Sequence, residues 1–480
     1  MSIQFHNTAT REKTIFTPIK KGEATLYTCG PTVYNQLHVG NWVAYVRWDT
    51  LVRMLKCSDY TVTRVMNITD VGHLTDDADD GEDKMEKGAR REGKTAWDIA
   101  RLYTEDFMQG MTTLNLLPPE HITKATEHID IQLDLVRRLK AKGYTYQIGD
   151  GIYFDTAKFP AYADFAQLNL DELKAGARVQ VNHEKRNASD FALWKFTPAG
   201  QKRDMEWETP ADIVDDGIAR KGFPGWHLEC SAMAMHYLGD TMDIHTGGID
   251  HIPVHHTNEI AQSTAATDKP FAHFWLHNAH LLSKGTKISK SLNNGFTLED
   301  IAEKGFSAMD FRMFVLQSHY RTESNFTWEN VAAARARLQR WREVASLRWQ
   351  TDKAGTDGDE LKKTFSAAKT TILASLQDDM DTPTALRTID QLFGTRENKK
   401  LPLDAQQTFT DTITFIDDLL GLRLIDSTPD ISDAHKSTIA ERETARTNKE
   451  WQRSDALRDE LHSAGIGLND TPGGSLWYWL

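Results

Sequence analysis

The alternation of apolar and polar positions divides the chain into blocks of different kinds. Residues 22–30, GEATLYTCG, alternate and then break at Gly-Pro, which predicts a strand running into a loop. In NWVAYVRWDTLVRMLKCSDY (41–60) the apolar residues recur at helical spacing until Ser-Asp interrupts them. YTVTRVMNITDV (60–71) reads as a second strand with a polar end. Strand, loop, helix, strand is the opening of a parallel, doubly wound sheet, in which ligands sit at the carboxyl ends of the strands. CGPTVYNQLHVGN and NITD are both predicted to lie there.

Residues 120–145 look helical, whereas 146–225 become irregular, with short strands in GIYFDT and DFALWKF, and read as an insertion. DTMDIHTGGIDHIPVHHTNEIAQS (240–263) returns to strand, glycine-rich loop and helix, so the sheet resumes. From about residue 326 the pattern is helical. The expected fold class is α/β: a Rossmann-type parallel-sheet domain with an inserted connective domain, followed by a mostly α-helical C-terminal region. The expected boundaries are 1–115 and 226–282 for the two halves of the sheet domain and 116–225 for the insertion. A connecting region then covers 283–325, and a helical region with a small C-terminal subdomain covers 326–480.

Composition is that of an ordinary soluble globular protein, 40% hydrophobic and 26% charged. No apolar run reaches the roughly 20 residues of a membrane span, and MSIQFHNTATREK lacks a signal peptide's apolar stretch. Three cysteines, Cys29, Cys57 and Cys230, argue for a reducing cytoplasm rather than a disulfide framework. A net charge of −13 speaks against coating nucleic acid non-specifically. It leaves room for a local basic groove, since salt confines each field to about 10 Å. The acidic run DDADDGED (76–83) fails as a calcium loop. With Gly81 in the glycine place, the third position is Ala78 and the twelfth is Lys87, where a carboxylate is required. A solvated insertion loop is the better reading.

Three short segments carry candidate chemistry. In VHHTNE (254–259), His255 and Glu259 at i,i+4, or His256 and Glu259 at i,i+3, share a helix face and could share a cation; a polar helix face would give the same pattern. HVGN (38–41) opens a helix at a strand end. His38 can donate to phosphate oxygens, Gly40 lets a nucleotide approach the backbone, and a helix N-terminus favours anions. KGTKISKSLNN (284–294) offers Lys287 and Lys290 as a polyphosphate clamp, or simply a solvated basic loop.

As an ordered pair, HVGN and KISKS resemble the "HIGH" and "KMSKS" signatures of class I aminoacyl-tRNA synthetases. Val39 and Ile288 keep apolar character. Asn41 replaces the last His and can donate a hydrogen bond but carry no charge. Asparagine at that place resembles the cysteinyl member of the class. So do FHNTATREKTIFTPI, YTCGPTVYNQLHVGN, NITDV, AGARVQV, DFALWK, PGWHLECSAM, DIHTGGID, HHTNEIAQS and DTPGGSLW, along nearly the whole chain.

The resemblance implies one zinc ion per chain, held by Cys29, Cys230, His255 and Glu259, with the substrate thiolate joining it. Two thiolates, an imidazole and a carboxylate make a plausible zinc set. It implies ATP with Mg2+, L-cysteine and tRNA(Cys) as substrates, with cysteinyl-adenylate formed first. His38 and Asn41 would contact phosphates, and Lys287 and Lys290 the departing pyrophosphate. Trp226 and His227 would line the amino-acid pocket; Gly40, Thr69, Asp70, His245 and Asp250 are further candidates for binding ATP or substrate. Cys57 sits in an apolar rhythm and reads as a packed small hydrophobe.

Within that family, 283–325 would be the stem-contact region and 326–480 the anticodon-binding region. Arg335, Arg337, Arg342, Lys449, Arg453 and Arg458 are its candidate tRNA contacts. A monomer is expected, cytoplasmic and without a membrane partner. The end, YWL, stands where basic residues are expected, which puts the tail's RNA contacts in doubt. A related ligase that transfers cysteine to an amino-sugar lacks a full anticodon-binding region. A zinc peptidase lacks the HExxH order here. A non-catalytic RNA binder would not need four ligands and both lysines.

Overall fold

Five parallel strands form the central sheet of the computed structural model, which describes residues 2–72, 83–169, 183–283, 285–288, 295–352 and 357–480, with only the backbone of Lys84 and Lys287. They are β1 (Glu23–Thr28), β2 (Thr61–Ile68), β3 (His121–Lys124), β4 (Met242–Gly248) and β5 (Ala272–Asn278), in the order β5-β4-β1-β2-β3. The order reverses between β1 and β4, where Thr28 pairs with Thr246. A crevice opens outside the strand ends at such a reversal.

Helix α1 (Val39–Cys57) joins β1 to β2, as its apolar spacing predicts. It is buried nearly all round, with Trp42, Val46, Trp48, Leu51 and Leu55 inside. α2 (Trp226–Leu238) precedes β4 and α3 (Thr257–Thr267) follows it.

The segment expected to be helical over 120–145 begins instead with the edge strand β3, and the helix runs only over Ile129–Ala141. The sheet therefore takes in residues that the sequence placed in the insertion. The insertion's antiparallel sheet starts at Thr145–Ile148 and ends at Lys221–Pro224, with its own core around Phe154, Leu193 and Trp194.

The C-terminal part is helical: α4 (Ala308–Leu316), α5 (Trp328–Ala345), α6 (Gly358–Gln377), α7 (Thr382–Gly394) and α8 (Gln406–Leu420). α9 (Asp433–Thr447), α10 (Trp451–Ser463) and the hairpin Ile466–Thr471/Gly474–Trp479 close the chain around a small core of Ile431, Ile439, Leu461, Ile466 and Trp477. One apolar core runs unbroken from Leu26 and Trp48 through Phe314 and Trp341 to Ile389 and Leu419. Residue 326 is thus no seam between separate cores.

A buried ion cluster reinforces that continuity. The Asp49 carboxylate accepts from Arg53 at 2.7 Å and from the fully buried Arg312 at 2.5 Å. Asp49→Ala is expected to cost about 3–5 kcal/mol, because two guanidinium groups would stay buried without their counter-ion. A urea midpoint unchanged from that of the native protein would contradict this.

Among the described residues no helix is long and apolar enough to cross a membrane. The insertion loop expected at 76–83 falls mostly on residues outside those described, although Asp83 caps the helix Lys84–Glu92 through Met85 N and Glu86 N.

Candidate active site and metal centre

A cavity of about 360 Å3 opens at the carboxyl ends of β1 and β4. Its floor requires glycine at one point: a Cβ on Gly30 would lie 1.6 Å from the Asn67 carbonyl oxygen. That contact draws the loop after β1 against the end of β2, with Gly30 N donating to Asn67 Oδ1 at 2.7 Å. His38, Gly40, Asn41, Thr69, Trp226, Asp250 and Ile288 line the same cavity. His38 caps α1, and its amide donates to Asn41 Oδ1 at 3.2 Å. Asn41 thereby uses its oxygen within the helix turn and keeps its NH2 group as a donor. Thr69 donates to Glu229 Oε2 at 3.1 Å, and Asp250 pairs with His280 at 3.0 Å. Asp70 is turned away, its carboxylate accepting from Thr126 N and Oγ1; burial pushes its pKa up to about 6. Lys290 lies outside the described residues, and of Lys287 only the backbone, paired with Leu282, is described.

The donor atoms of Cys29, Cys230, His255 and Glu259 all lie within 4.8 Å of one another and could hold a metal ion. They come from the loop after β1, from α2, from a widened turn at Ile252–His256 and from the first turn of α3. A second set, Cys29, His245, His256 and Glu259, meets the same limit. One observation separates the sets. Cys230 and His255 line the cavity, whereas His245 and His256 do not; Cys29 and Glu259 belong to both sets. Each set has an imidazole with an outer partner: His227 Nδ1 lies 2.9 Å from His255 Nδ1, and His277 Nε2 lies 2.7 Å from His256 Nδ1. An outer partner is what orients a ligating imidazole.

The donors suit a soft divalent cation. Among the described residues, Glu259 Oε1 is buried without a hydrogen bond of good geometry, although His255 Nε2 lies 2.8 Å away. Burial alone would raise the Glu259 pKa, but His245 and His255 hold it well below the usual carboxylate range. Burial likewise works against a charge on His255, yet Glu259 and Cys230 carry its pKa up to about 10. A hydrogen bond from Cys29 lowers the Cys230 thiol against its burial, while burial raises Cys29. The site draws in positive charge.

His227, expected on the pocket wall, and His245, expected to bind ATP or substrate, do not line the cavity. His245 bonds Glu259 Oε2 at 2.8 Å and stacks on Trp275. The sequence reading passed over Glu229, and over His277, which bonds His256 at 2.7 Å from the neighbouring strand. Of the candidate tRNA contacts, Arg335 pairs with Asp310, Arg337 with Asp390, Arg453 with Glu441 and Arg458 with Asp455. Arg342 is half-buried, its Nε without a hydrogen-bond partner among the described residues, and Lys449 is exposed. The YWL tail is folded down: Trp479 donates to the Pro429 carbonyl at 2.8 Å.

Residues 15–336 match the family description "tRNA synthetases class I (C) catalytic domain", and residues 428–477 match "Cysteinyl-tRNA ligase anticodon binding domain". A cysteine–tRNA ligase of Treponema denticola is 40% identical, the match covering 99% of each chain. The chain belongs to the cysteinyl-tRNA synthetase family. Cysteine–tRNA ligase 1 of Burkholderia lata is 42% identical to this synthetase, over 99% of it and 96% of the relative.

Among solved structures, it resembles the methionyl-tRNA synthetase of Mycobacterium tuberculosis in complex with methionyl-adenylate. That TM-score is 0.56 at 15% identity, covering 85% of this chain and 91% of the other. The LeuRS–tRNA–LeuAMS ternary complex of Agrobacterium radiobacter gives 0.58 at 12% identity, covering 87% and 86%. At such identities the likeness is one of fold. The synthetase is an aminoacyl-tRNA ligase, with tRNA, amino acid and ATP as its substrate classes.

Proposed function

We propose that this synthetase activates L-cysteine with ATP to cysteinyl-adenylate and transfers it to the 3′ end of tRNA(Cys), selecting its substrate by sulfur. One observation carries the reading: Cys29, Cys230 and His255 line the same cavity as His38, Gly40 and Asn41. A donor set sealed inside the protein could only stabilise the fold, whereas one open to the phosphate-binding wall can meet the amino acid. Zinc held by Cys29, Cys230, His255 and Glu259 would supply a Lewis acid on which a thiol ionises and which sulfur suits better than a hydroxyl oxygen. Apolar packing could not part cysteine from serine, which differ little in size and shape.

The remaining work falls to positioning and charge. The α1 N-terminus and Asn41 hold phosphate oxygens; His38 donates to them; Thr69, Trp226 and Asp250 shape the amino-acid side. Lys287 and Lys290, with Mg2+ on ATP, balance charge on the departing pyrophosphate. The carboxylate of the substrate attacks phosphorus directly, so no protein nucleophile is needed. The region 428–477 takes the anticodon end of the tRNA, and the enzyme works as a cytoplasmic monomer.

Cysteine-dependent ATP–pyrophosphate exchange, followed by charging of tRNA(Cys), tests the whole reading; exchange without charging would point to another acceptor. Lys287→Ala and Lys290→Ala should each slow adenylate formation about 10²-fold or more, as loss of a transition-state contact does. Cysteine affinity should hardly change. Weakened cysteine binding in equal measure would mean that this loop shapes the amino-acid pocket instead.

A further inference from the structure

The buried cluster around Asp49 reaches beyond its ion pair. Arg312, on α4, donates from Nε to Leu420 O at 2.7 Å and from a second nitrogen to Leu114 O at 2.9 Å. Arg53, on α1, donates to Asp418 O at 2.8 Å and to Asn115 O at 2.7 Å. Asn115 Nδ2 donates to Gly421 O at 2.9 Å, and Asp49 Oδ1 accepts from Leu117 N at 2.7 Å. Four segments thus meet at one point: α1, the turn at 114–117, α4 and the end of α8.

The charges explain the seat. Asp417 adds a second carboxylate that acts on both arginines, and the two guanidinium groups face the last carbonyls of α8, the negative end of a helix dipole. Gly421 closes that end at φ +64°, and a Cβ there would lie 2.6 Å from an Arg312 nitrogen and 2.8 Å from the Arg53 guanidinium carbon. No side chain fits without moving both arginines.

The joint also sits between two sites. Asn41, on the cavity wall, and Asp49 are eight residues apart on the rigid α1, about 12 Å along its axis. On the other side, only residues 422–427 separate Gly421 from the anticodon-binding match at 428. We propose that Asp49, Arg53, Arg312, Asn115 and Gly421 are positioning residues for tRNA charging, setting the angle at which α8 and the anticodon-binding domain leave the catalytic domain. This rests on the reading that one tRNA is held at both ends. An acceptor end displaced by about 1 Å can cost about 10²-fold in rate, so a tilt at the joint acts on transfer and leaves adenylate formation alone.

The test uses the full-length enzyme with Gly421→Ala and, as the milder change, Asn115→Ala. Cysteine-dependent pyrophosphate exchange and affinity for an isolated anticodon stem-loop should each stay within about twofold, while kcat/KM for charging whole tRNA falls about tenfold or more. Small-angle scattering should report an altered angle between domains at an unchanged radius for the catalytic part. If Gly421→Ala does not fold, Asn115→Ala decides. Normal charging by a folded variant, or exchange falling in step with charging, would overturn the joint. Absence of exchange in the unaltered enzyme would instead overturn the reading of the reaction, and the joint with it.

Discussion

Cys230→Ser should abolish cysteine activation while the fold survives. The substitution exchanges a thiol, already lowered in pKa by its hydrogen bond from Cys29, for a hydroxyl that stays neutral. A soft, charged ligand is lost, so the metal should bind more weakly or with altered geometry. The fold should hold because the main core, the insertion core and the C-terminal core all lie outside the small cluster that contains Cys230. Metal content of the purified variant reads the first effect without any activity assay.

In the native protein with cobalt in place of zinc, adding cysteine should intensify the sulfur-to-metal absorption, and adding serine should not. Absence of metal in the native protein, or an equal response to serine, would remove the basis for selection by sulfur. The same measurement divides the two donor sets. His255→Ala and Glu259→Ala should both deplete the metal, and His256→Ala should weaken it only as an outer group does, about 10–100-fold in affinity. Equal depletion by His245→Ala and His256→Ala, with His255→Ala harmless, would favour the second set.

How much of this was legible depended on range along the chain. The β1–α1–β2 opening is local, and periodicity placed it, together with HVGN and NITD at the strand ends. The four residues of β3 were too few to show an alternation, and pairing with β2 makes them a strand. Spacing alone left His255 and His256 as equal partners for Glu259, and the choice came from a family resemblance. The wall of the pocket was readable in part. Trp226 and Cys230 are four apart on α2 and face the cavity together, whereas His227 is turned about 100° away. The ion pairs of Arg335 and Arg337 were not readable, because Asp310 and Asp390 are remote in sequence.

A cut at residue 326, where the expected anticodon-binding region begins, runs through the continuous core. The cut would strip Val331, Leu338 and Trp341 from the main core and remove α8 from its seat on Arg53 and Arg312. Several buried large side chains at about 2–5 kcal/mol each exceed the stability of an ordinary domain. Such a fragment should not fold.

Removing 429–480 is the informative truncation. These residues carry their own core and meet the rest through Leu476, the Gln350 side-chain amide, which donates to Trp477 O and accepts from Trp477 N, both at 2.8 Å, and Gln339 on the Trp479 carbonyl. The shortened enzyme should melt cooperatively, keep pyrophosphate exchange within about twofold, and lose efficient charging, since only ground and transition states of transfer need the anticodon end. Full-length enzyme should bind tRNA with a steep salt dependence that the truncation flattens, because each phosphate contact contributes close to one counter-ion to the slope. Charging at the native rate by the truncated enzyme, or binding by the full chain that ignores salt, would remove 428–477 from tRNA recognition.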